Sequence, residues 1–305
     1  MASDRILICI HGSGPKPAEA VLKQYWLDTI KQGLQRTHPD QIDDLLNCEY
    51  HFIHYAHHLS HLHTDYDEAL DITQRQQVLE KLAELEKPKD FRRRYYDQLP
   101  GKSPLQEFAM DAAALLGLTG MVWRKVMPEL DAYWQDDNGW ATSVRQQLID
   151  LLEDHLQQDH SICLVSHCLG SVISYDALRS LDTEKRVTTW LTLGAPLGDH
   201  NVKRKLLNNG KQSHLRSILS WRNISAEDDY VSHDKTIADD YQVMLKNRMV
   251  ADISDHTIYN MSVRYGSSNP HHSAGYLTHP RVARFIGDWL GGSETNPDSA
   301  EEDLS

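Results

Sequence analysis

The stretch that decides the fold is ICLVSHCLGSVISYDAL, residues 162–178. It begins as a short apolar run, continues through SHCLG, and ends in a segment with a helical pattern. This order predicts a buried strand, a sharp turn and a helix. Cys168 stands at the apex of the turn, with the small residues Ser166 and Gly170 two positions before and after it. Small residues are expected there because larger side chains would collide with the neighbouring backbone in so tight a turn.

Strand-like and helix-like segments alternate on both sides of this turn. Short apolar runs predict strands, and apolar residues recurring every three or four positions predict helices. The predicted strands are 5–10, 48–56, 161–166, 187–197, 215–224 and 257–263, and the predicted helices include 17–37, 140–157 and 279–290. Such alternation is typical of an α/β protein whose mainly parallel sheet has helices on both faces.

Residues 57–135 interrupt this alternation. The segment has a helical pattern and is rich in aromatic residues. We interpret it as a helical cap inserted over the carboxyl edge of the sheet, where open α/β sheets bind their ligands. The core domain would then consist of residues 1–56 and 136–291. Residues 292–305, a polar segment with an excess of acidic residues, are predicted to form a disordered tail.

The charge balance argues against two classes of partner. Of 305 residues, 31 are Lys or Arg and 44 are Asp or Glu, which gives a formal net charge of −13. A chain this acidic is not expected to bind nucleic acid or an anionic membrane surface, because their phosphates would repel it. No apolar run reaches the roughly 18 residues of a membrane-spanning helix, so no membrane span is predicted.

The four cysteines are predicted to be free thiols. None of them forms a CxxC pair or another spacing typical of zinc sites. The apolar run near the start is too short for a signal peptide, so the expected location is the reducing cytoplasm. No cofactor is predicted, and the oligomeric state is left open.

A histidine-rich segment, HFIHYAHHLSHLH, spans residues 51–63. Pairs four residues apart, His54 with His58 and His57 with His61, could bind a metal on a helix. However, the segment has no HExxH arrangement, and the strand predicted through its first half would break a continuous helical face. We therefore interpret it as a strand end leading into the cap, and no metal site is predicted.

Taken together, these motifs resemble the α/β-hydrolase superfamily. Its lipase- and esterase-like members carry HSLG at the turn where this chain has HCLG, residues 167–170. The segments ICIHGSG, TLGAPLG and DDYVS and a late histidine follow in the order expected for the superfamily, so the resemblance covers nearly the whole chain. It implies an α/β-hydrolase fold. Some members, such as dienelactone hydrolase, use cysteine at the nucleophile position.

The resemblance implies a triad in the chain order nucleophile, acid, histidine. Cys168 takes the nucleophile position, where the amino end of the following helix favours a thiolate. In the similar proteins an Asp two residues before a Val is the acid, which matches Asp229 before Val231. Asp228 is the neighbouring alternative, and Asp199 is a weaker one.

The histidine of the triad is expected on the loop before the last helix. Similar proteins often have a His followed by small residues and then Tyr, so HSAGY favours His272 over its neighbour His271. His279 immediately precedes Pro280 at the predicted start of a helix, so it is expected to cap that helix or to lie on the surface.

Backbone N–H groups are expected to form an oxyanion hole, the set of donors that stabilises a developing negative oxygen. One is predicted at Leu169, directly after the nucleophile, and the other at Gly12 or Ser13 in the turn after the first strand. His11 in that turn is expected to be structural.

These predictions describe a cysteine-nucleophile hydrolase that cleaves an ester or thioester through a thioester intermediate. The substrate is expected to be a small molecule with an apolar acyl group, because the predicted cap is rich in aromatic residues, namely Phe91, Tyr95, Tyr96, Phe108, Trp123 and Trp134. Two alternatives stay open. One is an acyltransferase with the same triad, and the other is a catalytically inactive binding protein with the same fold.

Overall fold

A six-stranded sheet forms the centre of the computed structural model, which describes residues 4–98, 127–208, 214–264 and 267–292. Its strands are β1 (Arg5–Ile10), β2 (Glu49–Ile53), β3 (Ser161–His167), β4 (Val187–Leu193), β5 (Ile218–Ala226) and β6 (Asp252–Ile258). They lie in the order β2-β1-β3-β4-β5-β6, and every neighbouring pair is parallel. The predicted α/β class and the parallel sheet are therefore confirmed.

Helices lie between the strands and cover the sheet. They are α1 (Glu19–Thr37), α2 (Ile42–Asn47), α3 (Glu68–Ala83), α4 (Arg93–Tyr96), α5 (Pro128–Gln135), α6 (Trp140–Gln157), α7 (Leu169–Leu178), α8 (His200–Asn208), α9 (Gln242–Lys246), α10 (Ser273–Leu277) and α11 (Pro280–Gly291). Short 3₁₀ turns occupy Pro39–Gln41, Ala56–Leu62, Pro88–Phe91 and Pro196–Gly198. A two-stranded antiparallel ribbon, β7 (Val263–Arg264) and β8 (Ser267–Ser268), precedes α10.

Two apolar cores form on the two faces of the sheet. Side chains alternate between the faces of a strand, so Ile6, Ile8 and Ile10 enter one core while Leu7 and Cys9 enter the other. Helices α6 and α7 supply the first core, and helices α1 and α11 supply the second. The continuous apolar runs of β1 and β3 follow from this arrangement, since a parallel strand between two helical layers has no face toward water.

Strand β6 lies five residues earlier than the sequence pattern predicts. The apolar run 257–263 is expected to be a strand, yet the strand is the polar segment DISDHTI, residues 252–258, at the edge of the sheet. Beyond it the chain turns at Asn260, whose Oδ1 accepts hydrogen bonds from Ser262 N and Oγ (3.1 and 2.7 Å). An edge strand needs less apolar surface than a central one, so hydrophobicity marks its position poorly.

The insertion predicted at residues 57–135 is described in part. Its helix α3 packs against α1 and α10, and Val78 and Leu82 of α3 join the core on that face. Leu130 and Tyr133 of α5 join the core on the opposite face. Residues 99–126, with Phe108 and Trp123, lie outside the described residues, as does the predicted tail from residue 293. The domain boundaries and the role as a cap stay predictions.

Candidate active site

The turn after β3 holds Cys168 in a conformation that residues with side chains rarely adopt. Its φ is +55° and its ψ is −124°. The Cys168 N–H donates to Leu193 O (3.0 Å), and the Cys168 carbonyl accepts from Ser171 N (3.0 Å), so the strained geometry is fixed by the neighbouring strand and helix. Such strain persists where the surrounding structure over-determines it, which is a frequent property of functional sites.

The small residues around Cys168 are required by close packing. A Cβ at Gly170 would lie 2.4 Å from the carbonyl oxygen of His11, and a Cβ at Gly12 would lie 2.5 Å from the Cβ of Cys168. Ser166 is structural, because its Oγ accepts a hydrogen bond from Trp190 Nε1 (2.8 Å) within the core. These contacts bring the turn after β1 directly against the turn after β3.

Three side chains from separate parts of the chain meet at this turn. His271 Nδ1 lies 2.9 Å from Asp229 Oδ2 and 3.0 Å from Asp229 Oδ1. The His271 side chain also lies close enough to the Cys168 thiol for each group to shift the pKa of the other. Cys168 is fully buried, whereas the side chain of His271 is 15% exposed, so solvent reaches the group through the histidine. The predicted Cys168 and Asp229 are thus joined by a histidine.

That histidine is His271 and not His272, which the sequence pattern favours. His272 is the N-cap of α10, and its Nδ1 accepts a hydrogen bond from Ala274 N (3.2 Å). The pattern HSAGY therefore marks the start of a short helix. Its His caps the helix, while the preceding residue, His271, points to Asp229.

The other candidates named from the sequence have separate roles. Asp229, rather than Asp228, is the carboxylate that contacts His271. Asp199 begins α8, since its Oδ1 accepts from Asn201 N (2.8 Å) and Val202 N (3.0 Å). His279 caps α11 through a hydrogen bond from Arg281 N to its Nδ1 (3.1 Å), as predicted.

Asp229 is held by two further donors. Tyr276 Oη donates to Asp229 Oδ2 (2.5 Å), and Val231 N–H donates to Asp229 Oδ1 (2.9 Å). Burial and the adjacent carboxylate of Asp229 keep the pKa of Tyr276 well above its usual value, so the phenol stays a donor. Tyr276 is the Tyr of HSAGY. Sequence reasoning used it only to choose a histidine and missed its contact with the acid.

The electrostatics of the cluster favour a charged pair. Burial raises the pKa of Cys168, but the positive charge and hydrogen bond of His271, with the donors of Ser13, bring it below its usual value. Burial lowers the pKa of His271, but Asp229 and Cys168 together raise it well above its usual value. A thiol whose pKa falls beside a histidine whose pKa rises is the condition for a thiolate–imidazolium pair.

The turn after β1 supplies donors to the sulfur. Ser13 Oγ lies 3.3 Å from Cys168 Sγ, and the side chain and backbone of Ser13 both help to lower the pKa of this thiol. Leu169 is the first residue of α7, and the first N–H groups of a helix have no partner within it. Ser13 thus contacts the sulfur, while an oxyanion hole formed by the N–H groups of Leu169 and of Gly12 or Ser13 stays a prediction. His11 is structural, because its Nδ1 donates to Gly12 O (2.7 Å) and its Nε2 accepts from Tyr55 N (3.1 Å).

A carboxylate from the predicted insertion anchors this turn. Glu129 in α5 is buried, and its Oε1 accepts hydrogen bonds from Gly14 N (2.7 Å) and His63 Nε2 (2.7 Å). Sequence reasoning missed Glu129. No local pattern marks it, since its partners lie more than 60 positions away in the chain.

A lysine close to the sulfur has an unusual pKa. The Nζ of Lys16 donates to the carbonyl oxygens of Ser13, Gly14 (3.0 Å) and Pro15 (3.3 Å). Burial lowers the pKa of Lys16 to about 7, and the buried cation Arg75 of α3 acts in the same direction. Arg75 is itself paired with Asp71 (2.7 Å).

His167 holds the backbone of His271 in place. Its Nε2 donates to the backbone oxygen of His271 (2.9 Å), and the two rings lie 4.7 Å apart. Burial holds the pKa of His167 well below its usual value, and the neighbouring His271 reinforces this. A neutral His167 therefore fixes the backbone of His271 without adding a second positive charge.

Comparison of the chain with models of known protein families and with curated protein sequences gives no match. The geometry and electrostatics of the cluster are therefore the basis for its functional interpretation.

Proposed function

We propose that the chain is an α/β-hydrolase-type enzyme that cleaves an ester or a thioester with Cys168 as its nucleophile. One observation carries the proposal: Cys168, His271 and Asp229 converge at the end of β3, where His271 is hydrogen-bonded to Asp229 and interacts electrostatically with Cys168. Their chain order of nucleophile, acid and histidine supports the assignment to this fold. The positive φ of Cys168 supports it as well, because the nucleophile of this fold sits on a strained strand-to-helix turn.

In the first half-reaction, the Cys168 thiolate attacks the substrate carbonyl carbon. A sulfur–carbon bond forms, and the carbonyl π pair moves to the oxygen, where backbone N–H groups of Ser13 and Leu169 stabilise it. The tetrahedral intermediate collapses and expels an alkoxide or a thiolate. The imidazolium of His271 gives its proton to this leaving group, and a thioester to Cys168 is left.

In the second half-reaction, His271 takes a proton from water while the water oxygen attacks the thioester. The intermediate collapses to a carboxylic acid and the Cys168 thiolate, and the imidazolium is restored. Asp229 holds the Nδ1 proton of His271 in place throughout. Tyr276 and Val231 N–H hold the carboxylate in turn.

A burst experiment tests the proposal. Full-length protein mixed with a short-chain p-nitrophenyl ester is expected to release about one equivalent of nitrophenol rapidly, because acylation precedes a slower hydrolysis. Mass spectrometry of the quenched protein should locate the acyl group on Cys168. The Cys168→Ala variant should lose both signals, while Cys48→Ser, at a thiol far from the turn in the sequence, should keep them.

Equal nitrophenol release by the wild type and Cys168→Ala would overturn the proposal. An acyl group that passes to an added amine faster than to water would favour the acyltransferase. Absence of any acyl-enzyme would favour the inactive binding protein.

A further inference from the structure

Three potential metal ligands converge at the sheet edge formed by β2. Glu49 and His51 are two residues apart in this strand, so their side chains share one face. His155, in the last turn of α6, packs against that face. His51 Nε2 lies 2.7 Å from Glu49 Oε1 and 3.2 Å from His155 Nε2, and the latter is 3.8 Å from Glu49 Oε1.

These separations match those of ligands around one small cation. Zinc binds histidine nitrogen and carboxylate oxygen at about 2.0–2.2 Å in a tetrahedron, so its ligand atoms lie roughly 3.3 Å from each other. The three observed distances lie on both sides of this value. Hydrogen bonding explains the three distances less well than a shared ion does. A single ring proton on His51 Nε2 would have to be donated to two acceptors, Glu49 Oε1 and His155 Nε2.

The surroundings complete the arrangement expected of such a site. His155 Nδ1, the nitrogen that points away from the triangle, lies 3.1 Å from His160 Nδ1. Metal-binding histidines usually donate their second ring N–H to a fixed acceptor, which orients the ring. His155 is buried, while the side chains of His51 and Glu49 are 30% and 51% exposed, so water can reach an ion held by the three residues.

We propose that Glu49, His51 and His155 bind a divalent first-row transition ion, with Zn²⁺ as the fitting one. Two imidazoles and one carboxylate form a donor set that suits zinc. The ion would join the edge strand β2 to α6. This set differs from the helical pairs within residues 51–63, because it combines one histidine of that segment with a strand neighbour and with a residue 104 positions later.

The metal site is separate from the cysteine site. His51 is in register with Ile8, and Ile8 with Leu164, four residues before Cys168. At about 3.3 Å per residue, the two sites lie roughly 13 Å apart along the strands, in addition to their separation across the sheet. The proposed ion therefore has a structural role.

Metal titration of the full-length protein tests this proposal. After dialysis against a chelator, Co²⁺ is added as a visible probe and is then displaced by Zn²⁺. We expect one equivalent of Co²⁺ to give the strong absorption of a tetrahedral site, and Zn²⁺ to raise the thermal unfolding temperature. Glu49→Gln and His51→Gln, at residues with solvent access, should each lower the affinity for Zn²⁺ at least about tenfold and abolish the thermal shift.

His57→Gln is the matched control, because His57 is an exposed histidine of the same segment outside the triangle. It should bind Zn²⁺ like the wild type. Each variant is also melted with chelator present, where unchanged unfolding temperatures show that the fold is intact. Two results would overturn the proposal: no saturable binding by the wild type, or binding that His57→Gln abolishes and His51→Gln keeps.

Discussion

The adjacent residues His271 and His272 have different roles, because their side chains point in different directions from one loop. His271 faces a carboxylate and a thiol, and His272 caps a helix. A sequence pattern places a histidine in this loop, but neighbouring residues differ only in side-chain direction, which the backbone of the folded loop determines. The segment was therefore predictable from the sequence, and the residue within it was not.

Paired substitutions test this distinction. His271→Ala should lower the rate of acylation by a p-nitrophenyl ester at least about a thousandfold, because the thiolate loses its counter-ion and the leaving group its proton donor. His272→Ala should leave this rate nearly unchanged and lower the free energy of unfolding by about 1 kcal/mol, the usual cost of a lost helix cap. Stopped-flow acylation and urea unfolding measure the two effects. A larger rate loss in His272→Ala would contradict the assignment.

The opposed pKa shifts of Cys168 and His271 make alkylation of the thiol sensitive to pH in a defined direction. Because the pKa of Cys168 is lowered, its thiolate persists below the usual range, and alkylation should slow only when the pH falls through that lowered value. Burial raises the pKa of Cys9, of Cys48 (to about 11) and of Cys163, so these thiols should stay protonated and slow. Iodoacetamide labelling at neutral pH, read by peptide mass spectrometry, should therefore modify Cys168 first. Equal labelling rates at all four cysteines would contradict the prediction that Cys168 is the activated thiol.

At the scale of elements, the turn after β1 depends on α5 for its shape. Glu129 binds the Gly14 N–H with an oxygen that also accepts from His63. The same turn places the Ser13 hydroxyl next to the sulfur of Cys168. In the proposed mechanism the donors that stabilise an oxyanion must be held in place before the reaction, so α5 would contribute to the site through Glu129.

Removal of this anchor should affect rate and stability together. In Glu129→Ala, Gly14 N–H and His63 lose their buried acceptor, which should cost about 1–3 kcal/mol of unfolding free energy. Acylation should slow about tenfold or more as Ser13 loses its fixed position. Glu129→Gln keeps an oxygen acceptor and should retain more of both. Urea unfolding and burst kinetics measure the effects, and an Ala variant as fast as the Gln variant would refute the link.

How well the sequence predicts a strand depends on how much of that strand is buried. β1 and β3 lie between two cores, and their apolar runs mark them correctly. β6 lies at the edge of the described sheet and consists mostly of half-buried polar residues, and the apolar run 257–263 points to the wrong segment. Hydrophobicity predicts strands that are buried on both faces better than strands that are not.

At the scale of the whole molecule, charges distant in the chain gather near the cysteine. Lys16, Arg75 and Glu129 come from three separate segments, and all three act on the electrostatics around the turn after β1. Their charges were visible in the sequence, but their proximity arises only from the packing of α3 and α5.

Among the described residues, no helix is long and apolar enough to cross a membrane.

The position of β1 between β2 and β3 has a consequence for how the chain folds during synthesis. β1 is made before β3, one of its two neighbours, which begins at Ser161, 156 residues after Arg5. At about 5–20 residues per second, a ribosome needs roughly 8–30 s to make that stretch. Until then the apolar strand RILICI has an open edge, which is the condition under which nascent chains aggregate or bind chaperones. Newly made chains thus need protection of the segment Arg5–Ile10 until β3 has been made.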